Sequence, residues 1–293
     1  MKQTFSRLLT LFTILLPSIA FSASPILVPA WQTNAVFEQP ESVAFDAKNK
    51  QLYVSNINGG PTDADGNGYI SQLSLDGSIS SLHWLDGLNA PKGLTIVGNT
   101  LYIADINELV VVDIKNKKIT QRYSAPDAKF LNDVVADKKG NIYVSAFLTN
   151  TLYRLSGDKF EAWLQTDKLE VPNGLLVENN QLIVGSWGVM TDGFATDVAG
   201  HLKTINIDTK KVQSLGDKTP AGNLDGVESD GNSNYFVTDW MAGKLLHIAP
   251  TGFSSTLLAL EQGSADHIVL HEQGLIIIPM MLTGNVLAYQ IKK

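Results

Sequence analysis

The chain has 293 residues, a formal net charge of −7 at pH 7 and no cysteine. An acidic chain without basic clusters is a poor candidate for binding nucleic acid or an anionic membrane surface. Because it can form no disulfide, its stability must come from a large core or from bound ions.

The first segment of the chain has the pattern of a secretory signal peptide. A basic start precedes an apolar run from Leu8 to Leu16, and small residues follow around Ala20. The apolar run is too short to cross a bilayer comfortably, which favours a signal peptide over a membrane anchor. We therefore expect a signal peptide over residues 1–23, a single domain over residues 24–293, and a secreted protein in the periplasm.

The rest of the chain repeats a pattern of strands. Six units each open with a polar residue and continue into an apolar strand: ESVAFD from Glu41, KGLTIV from Lys92, NDVVAD from Asn132, NGLLVE from Asn173, DGVESD from Asp225 and DHIVLH from Asp266. A second and a third strand follow in every unit, and a fourth is recognisable in the first five. The β-branched and aromatic residues, with Asp-Gly and Asn-Gly turns between them, favour antiparallel hairpins.

This repeat predicts the architecture. A unit of about 40 residues with four strands is typical of a propeller blade, so we expect an all-β, six-bladed β-propeller. The sixth unit has only three strands, and the segment ILVPAWQTNAVF before the first unit has the pattern of an extra strand. We expect this N-terminal strand to complete the last blade and close the ring, which covers exposed strand edges.

Two units contain long loops between their second and third strands. The inserts are GGPTDADGNG in the first unit and GVMTDGFATDVAG in the fourth, and each makes its unit roughly ten residues longer than the others. Since strands alternate in direction, a connection after two strands returns to the face at which the first strand began. Both inserts should therefore overhang the same mouth of the central channel.

The first insert contains half of a calcium-loop pattern. Asp63, Asp65 and Asn67 have the spacing of the first ligands of an EF-hand, but Ser74 occupies the position of its bidentate Glu. No helix is expected on either side, which excludes a calcium sensor. Two alternatives remain: a plain hairpin turn, which is favoured, and a second, structural Ca²⁺ site.

The polar residues that open the six units share one register, so they should form a ring in the channel. Three carboxylates, two amides and one ammonium group are costly to bury together unless something compensates. Carboxylate and amide oxygens are the ligands that a hard cation such as Ca²⁺ prefers. The favoured interpretation is a divalent-metal site. The alternative is a structural plug in which Lys92 pairs with Asp266 or Asp225.

The order and spacing of several segments resemble one known family. PESVAFD, LNDVVADKKGNIYVS, VPNGLLVENNQLIVGSW and NLDGVESDGNSNYFVTDW are similar to the regucalcin/gluconolactonase (senescence marker protein) family, with a wider likeness to paraoxonase-type propellers. The resemblance implies that four ring residues hold one divalent cation: Glu41, Asn132, Asn173 and Asp225. Ca²⁺ is the expected ion, with Zn²⁺, Mn²⁺ and Mg²⁺ as alternatives.

The resemblance also implies hydrolysis of a lactone or related ester. A divalent cation at an open site can polarise a carbonyl and stabilise the oxyanion that forms. Asp225 would be the general base that activates water, and Asn132 would also contact substrate. A rival hypothesis is a non-catalytic propeller that has a structural ion and binds a small ligand or a protein, since propellers perform both kinds of function.

One position departs from the family pattern. Sugar-lactone relatives have an Arg two residues before the Asn of the third blade, where this chain has Phe130. We therefore expect a pocket for a less polar substrate, or a different reaction. Lys92 would either supply the missing positive charge to the substrate or serve only as an ion-pair partner.

Four further residues are weaker candidates for substrate binding: Trp187, Trp240, Asp266 and His267. Trp187 and Trp240 follow second strands near the mouth, where they either line a pocket or pack between blades. His267 adjoins Asp266 and could act as a proton shuttle, although such a His is more often a strand residue with satisfied hydrogen bonds. For partners, we expect a small-molecule substrate, a monomer, no nucleic acid and no membrane span.

Overall fold

A computed structural model describes residues 24–292 of the chain. Its strands form six sheets of four antiparallel strands, which confirms the predicted six-bladed β-propeller. Within the described range, helical structure is limited to two short 3₁₀ helices, Phe147–Thr149 and Asp167–Leu169. No helix in that range is long and apolar enough to cross a bilayer. The expected signal peptide, residues 1–23, lies outside the described residues.

Each blade consists of consecutive strands, with the first of them innermost. Before the first blade lies β1 (Ile26–Gln32). The strands of the first three blades are β2 (Pro40–Asp46), β3 (Gln51–Asn56), β4 (Gly68–Ser74), β5 (Ile79–Leu88), β6 (Pro91–Val97), β7 (Thr100–Asp105), β8 (Glu108–Asp113), β9 (Lys118–Ser124), β10 (Leu131–Ala136), β11 (Ile142–Ala146), β12 (Thr151–Ser156) and β13 (Lys159–Gln165). Those of the last three are β14 (Pro172–Glu178), β15 (Gln181–Ser186), β16 (Leu202–Asn206), β17 (Val212–Ser214), β18 (Leu224–Ser229), β19 (Tyr235–Asp239), β20 (Lys244–Ile248), β21 (Ser254–Ala259), β22 (Ile268–Leu270), β23 (Leu275–Met280) and β24 (Asn285–Lys292).

The ring closes through β1, as the sequence predicts. β1 pairs antiparallel with β24 and is the outermost strand of the sixth blade, whose order is β1-β24-β23-β22. The indole N–H of Trp31 on β1 donates to the carbonyl oxygen of Leu75 in the first blade, at 2.9 Å. Backbone pairing within the last blade is thus combined with a side-chain bond to the first, and the outer edge of β24 is covered.

The apolar core lies between neighbouring blades and away from the channel. One cluster joins Tyr53 and Ile70 of the first blade to Leu101 and Ile103 of the second, and all four side chains are buried. Similar clusters follow around the ring, including one that joins the first and last blades. Since the sheets bury their faces against each other, the innermost strands are free to carry polar residues at the channel.

A β-bulge occurs at the ring position in each of the first five blades. The strand register shifts across Glu41–Ser42, Lys92–Gly93, Asn132–Asp133, Asn173–Gly174 and Asp225–Gly226. Bulges redirect side chains and are frequent next to functional sites. In three blades, a hydroxyl group on the second strand accepts a hydrogen bond from the backbone N–H of the residue after the ring residue, at 2.9 Å. The bonds run from Ser42 to Ser55, from Asp133 to Ser145 and from Gly226 to Thr238.

Glycine follows the ring residue where neighbouring inner strands approach most closely. A Cβ atom on Gly174 would lie 1.9 Å from the carbonyl oxygen of Asp225, and one on Gly226 would lie 2.7 Å from the backbone nitrogen of His267. Backbone atoms of the neighbouring strand cannot move aside as the end of a flexible side chain can, so a residue with a Cβ atom would clash at these positions. These glycines therefore allow the ring residues of adjacent blades to converge on a narrow channel.

We predict that Thr238→Val destabilises the fold through the bulge at Asp225. The buried Thr238 hydroxyl accepts from Gly226 N–H and donates to the Ala265 carbonyl at 3.0 Å, and valine keeps its shape but leaves both groups unpaired. The free energy of unfolding, measured by urea denaturation, should fall by about 2 kcal/mol. The control is Thr120→Val on the exposed face of β9, which should change it by less than about 0.5 kcal/mol. Equal effects of the two variants would contradict this account.

Candidate active site

Four ring residues meet at the floor of a pocket at one mouth of the channel. Glu41, Asn132, Asn173 and Asp225 all line this pocket, and each is at most 6 % exposed. We call these four residues the floor. The pocket has a cavity of about 160 Å³. The structure thus brings together the four residues that the family resemblance identifies as ligands, and their role as ligands stays a prediction.

The floor contains oxygen atoms that the described part of the protein leaves without partners. The amide of Asn132 donates to the side-chain oxygen of Asn173. Oε2 of Glu41 and Oδ1 of Asn132 are buried and accept no hydrogen bond from any described residue. A buried acceptor without a partner is unfavourable, by about 1–3 kcal/mol. A cation bound between these oxygens would remove that penalty.

Burial disfavours negative charge on both carboxyl groups of the floor. Desolvation, assisted by the nearby charge of Asp133, raises the pKa of Asp225 to about 8. The pKa of Glu41 is raised well above its usual value, mainly by desolvation and to a smaller extent by the charge of Asp225. The positive charge of Lys92 offsets this rise only in part. An adjacent divalent cation favours the ionised form of such carboxyl groups, so these residues fit the expected ion.

The expected donor set consists of two carboxylates and two amides. Hard cations such as Ca²⁺ accept this mixture, because they bind carboxylate and amide oxygens alike. Across residues 24–292, no group of three or more His, Asp or Glu side chains is arranged to hold a metal ion. Any ion at the floor would therefore depend on the oxygens of Asn132 and Asn173 as well as on the carboxylates.

Lys92 lines the same pocket but does not form the ion pair that the plug hypothesis predicts. Its buried ammonium group donates to the carbonyl oxygens of Pro61 and Ala90, both at 2.8 Å. It also lies 4.5 Å from the ring centroid of Phe130. No salt bridge of Lys92 with a carboxylate is present in the described range. Because Pro61 belongs to the first insert, this hydrogen bond connects the insert to the second blade. Burial lowers the pKa of Lys92 to about 8.

Aromatic rings form the wall of the pocket above the floor. Five rings line it: Phe130, Phe147, Trp187, Phe194 and Trp240. They contact one another in series, with centroid distances of 5.3 Å from Phe130 to Phe147, 5.4 Å from Phe147 to Trp187 and 6.0 Å from Trp187 to Trp240. Both tryptophans predicted from sequence therefore line the pocket and also pack against its other rings.

Both inserts lie at this mouth, which confirms the prediction from strand direction. The first supplies Pro61 and the second supplies Phe194, and Ile57 and Trp187 lie just before the two inserts. The indole N–H of Trp187 donates to the carbonyl of Phe194 at 2.9 Å, which folds the second insert back over its own base. The amide of Asn223 donates to the hydroxyl oxygen of Thr196 at 3.0 Å and to the carbonyl of Trp187 at 2.9 Å, and so joins this insert and its base to the fifth blade.

Five of the six ring residues line the pocket, whereas Asp266 and its neighbour His267 do not. Both residues precede β22 and line a different cavity between the inner strands. The strand register also shifts by one residue here, between the Ser264–Met280 bridge and the Ile268–Ile277 pair. Oδ2 of Asp266 accepts from the Ser42 hydroxyl at 2.6 Å. Burial lowers the pKa of His267 to about 3, so its ring is neutral at pH 7. His267 also lies outside the pocket, and its role as a proton shuttle stays a prediction.

The calcium-like segment of the first insert forms a turn. The side-chain amide of Asn67 donates to Oδ2 of Asp65 at 2.8 Å, and the N–H of Asp63 donates to the Gly60 carbonyl at 3.0 Å. These bonds are those of the favoured hairpin-turn alternative. Asp63, Asp65 and Asn67 are all exposed, and the second Ca²⁺ site stays a prediction.

Asp133 is a functional candidate that the register argument missed. Its buried carboxylate accepts the backbone N–H groups of Val134 and Leu175, both at 2.6 Å, and so links the third blade to the fourth. Its charge also contributes to the raised pKa of Asp225. The signal in the sequence was an acid directly after the ring residue in NDVVAD, where three other blades have glycine. The wall rings of Phe147 and Phe194 were missed as well.

Fold and site together define a six-bladed propeller with a buried acid–amide floor under an aromatic mouth. Residues 39–262 match the sequence model of the SMP-30/gluconolactonase/LRE-like region, and this range includes every residue of the floor. The chain belongs to this family, as its motifs suggested. No curated protein matches the sequence significantly.

Solved structures show the same fold at low sequence identity. A gluconolactonase from Xanthomonas campestris is 13 % identical, with a TM-score of 0.69 over 92 % of this chain and 91 % of that one. A catalytically inactive variant of virginiamycin B lyase from Staphylococcus aureus, solved with quinupristin, is 12 % identical, with a TM-score of 0.61 over 92 % of this chain and 100 % of that one. A nidogen/laminin complex contains a chain that is 20 % identical, with a TM-score of 0.57 over 74 % of this chain and 79 % of that one.

We predict that the metal-free protein loses stability as the pH rises from 6.5 to 7.5. In this interval the Asp225 carboxyl is already ionised in the unfolded chain, where its pKa is near 3.8, but still protonated in the fold, where burial raises the pKa to about 8. A raised folded pKa stabilises the fold at low pH, and the gain is lost on approach to that pKa, at up to about 1.4 kcal/mol per pH unit. Urea denaturation in the presence of a chelator measures this slope.

Asp225→Asn should reduce the steepness of this pH dependence by up to about 1.4 kcal/mol per pH unit, which corresponds to one proton, because the amide does not titrate. Asp158→Asn, at an exposed turn, is the matched control and should leave the slope unchanged. A wild-type free energy of unfolding that rises over the same interval would contradict the prediction.

Proposed function

We propose that the protein is a divalent-metal-dependent hydrolase of a lactone or related ester, with Ca²⁺ as the expected ion. The observation that carries this proposal is the floor, where Glu41, Asn132 and Asp225 line one pocket and a buried oxygen each of Glu41 and Asn132 accepts no hydrogen bond from any described residue. Membership of the SMP-30/gluconolactonase/LRE-like family and the structural similarity to a gluconolactonase support the same class of reaction.

The four floor residues would hold the cation. When bound, it would supply a Lewis acid at the lactone carbonyl. Asp225 accepts a proton from a water molecule, whose oxygen bonds to the carbonyl carbon. The acyl–oxygen bond of the ring then breaks, and Asp225 returns the proton to the departing ring oxygen. The product is a hydroxy acid, and Asp225 ends in its starting state.

The protein surroundings suit this role for Asp225. Burial raises the pKa of Asp225 to about 8 in the metal-free protein, and an adjacent cation would favour the ionised carboxylate, which is the form that accepts a proton. The aromatic wall limits the access of bulk water to the floor, which strengthens electrostatic interactions there. Asn132, one of the four residues that would hold the cation, would also contact the substrate.

We predict that Ca²⁺ raises the melting temperature of the chelator-treated protein and that Glu41→Gln removes most of this rise. Glutamine preserves the size of the side chain but removes the charge that attracts the ion. Binding at 100 times the Kd should stabilise the fold by about 2.7 kcal/mol. Scanning calorimetry with and without millimolar Ca²⁺ measures the effect. The exposed control Glu272→Gln should retain the full rise. A wild-type protein that does not respond to any divalent ion would refute the metal site.

We also predict that the protein hydrolyses members of a panel of aldonolactones and alkyl lactones, and that a chelator abolishes this activity. Asp225→Asn should lower kcat by about 10²- to 10⁴-fold, because the attacking water loses its base. Asp158→Asn should remain as active as the wild type. A pH-indicator assay follows release of the acid, and elemental analysis reports the bound metal.

The rival hypothesis, a non-catalytic propeller with a structural ion, gives a different result in the same experiment. Full metal occupancy without turnover of any lactone or ester would favour it over the hydrolase. Loss of activity in both the chelator arm and the Asp225→Asn arm would favour the hydrolase.

A further inference from the structure

The wall of the pocket lacks partners for a polar substrate. Apart from Lys92, the strong hydrogen-bond donors among the described side chains above the floor are the indole N–H groups of Trp187 and Trp240, and that of Trp187 already donates to the Phe194 carbonyl. The remaining wall side chains are apolar. A substrate hydroxyl pressed against this wall would lose its bonds to water without replacement, which lowers affinity about tenfold for each such group.

The polar groups of the pocket do not compensate. The ammonium group of Lys92 is turned to the carbonyls of Pro61 and Ala90 and covered by the ring of Phe130. Phe130 in turn packs against Phe147 at 5.3 Å. The other polar side chains belong to the floor, where the reaction itself would use them. No described charged group is therefore left over to recognise a hydroxylated or carboxylated substituent.

The size and opening of the pocket indicate how an apolar substrate would lie. A cavity of about 150 Å³ accommodates a molecule of the size of benzene, so the 160 Å³ of this pocket suffice for one six-membered ring. A substituent on that ring must extend toward the mouth. There it meets Phe194 and Leu282, which are 46 % and 55 % exposed although both are large apolar side chains. Exposed apolar side chains beside a cleft often mark a binding surface.

We propose that this site acts on a lactone that carries an alkyl or aryl substituent rather than on a polyhydroxylated sugar lactone. The reacting ring occupies the cavity over the floor, and the substituent packs against Trp187, Phe194 and Leu282. This inference rests on the proposed lactone hydrolysis for its reacting group, whereas the selection of an apolar substituent rests on the wall alone. Phe194 is the specificity-determining residue that can be changed without disturbing the core.

Three six-membered lactones test the proposal: δ-valerolactone, its pentyl-substituted form and glucono-δ-lactone. They share the reacting ring and differ only in substituents. We expect kcat/KM for the pentyl lactone to exceed that for the unsubstituted lactone at least tenfold, since several CH₂ groups leave water. The glucono-lactone should have the lowest kcat/KM. A glucono-lactone that is hydrolysed as well as or better than the pentyl lactone would overturn the inference while leaving the proposed function intact.

Two matched variants locate the effect on the wall. Phe194→Ser should lower kcat/KM for the pentyl lactone about fivefold and leave that for the unsubstituted lactone unchanged, because only the substituent contacts this ring. Phe253→Ser removes a phenylalanine that is 66 % exposed in the turn before β21, far from the pocket, and should affect neither. Equal losses for both lactones in Phe194→Ser would contradict the proposed position of the substituent.

Binding without turnover separates this inference from the proposed function. The corresponding lactams have the same ring and substituents but a far less reactive amide bond, and calorimetric titration measures their affinity for the full chain. We expect the pentyl lactam to bind at least tenfold more tightly than the unsubstituted one, with the difference reduced about fivefold in Phe194→Ser. This result without hydrolysis of any lactone would overturn the proposed function and retain the apolar pocket. Equal affinities would overturn the apolar pocket.

Discussion

The burial of oxygen ligands in the centre of a closed ring is the constraint on which the rest of this structure depends. Removing carboxylates from water is expensive, and two of them lie beside two amides at the floor of the pocket. Burial raises the pKa of both carboxyl groups, and two neighbouring oxygens have no partner in the described protein. The arrangement is one that a divalent cation would stabilise, and a chain selected only for stability would have placed apolar residues here.

The remainder of the propeller makes this unfavourable centre possible. Apolar faces of neighbouring blades pack against each other all the way round, and β1 pairs with β24 to close the ring without any disulfide. Glycine at positions 174 and 226 lets adjacent inner strands approach, while the hydroxyl of Thr238 satisfies a bulge that points Asp225 into the channel. Contacts outside the floor thus offset the unfavourable burial of its carboxyl groups.

The pocket combines a polar floor with an aromatic wall. The floor is polar and set by rigid inner strands, whereas the wall is aromatic and comes largely from the residues just after second strands and from the two inserts. Lys92 connects the two, because it lies on an inner strand and donates to the Pro61 carbonyl of the first insert. A polar floor beneath an apolar wall suits a substrate with one reactive polar group and an apolar remainder.

The sequence by itself determined the propeller, its closure, the six ring residues and the position of both inserts, because strand alternation, turn residues and the register of the repeat are local properties of the chain. The family resemblance then selected the four ring residues of the floor. It also indicated a less polar pocket through Phe130. Only the tertiary structure decided that Asp266 leaves the pocket, that Lys92 binds backbone carbonyls instead of a carboxylate, and that Phe147 and Phe194 complete the wall. Those outcomes depend on where bulges and loops direct side chains, and on contacts between residues that are distant in the chain, which a repeat pattern does not encode.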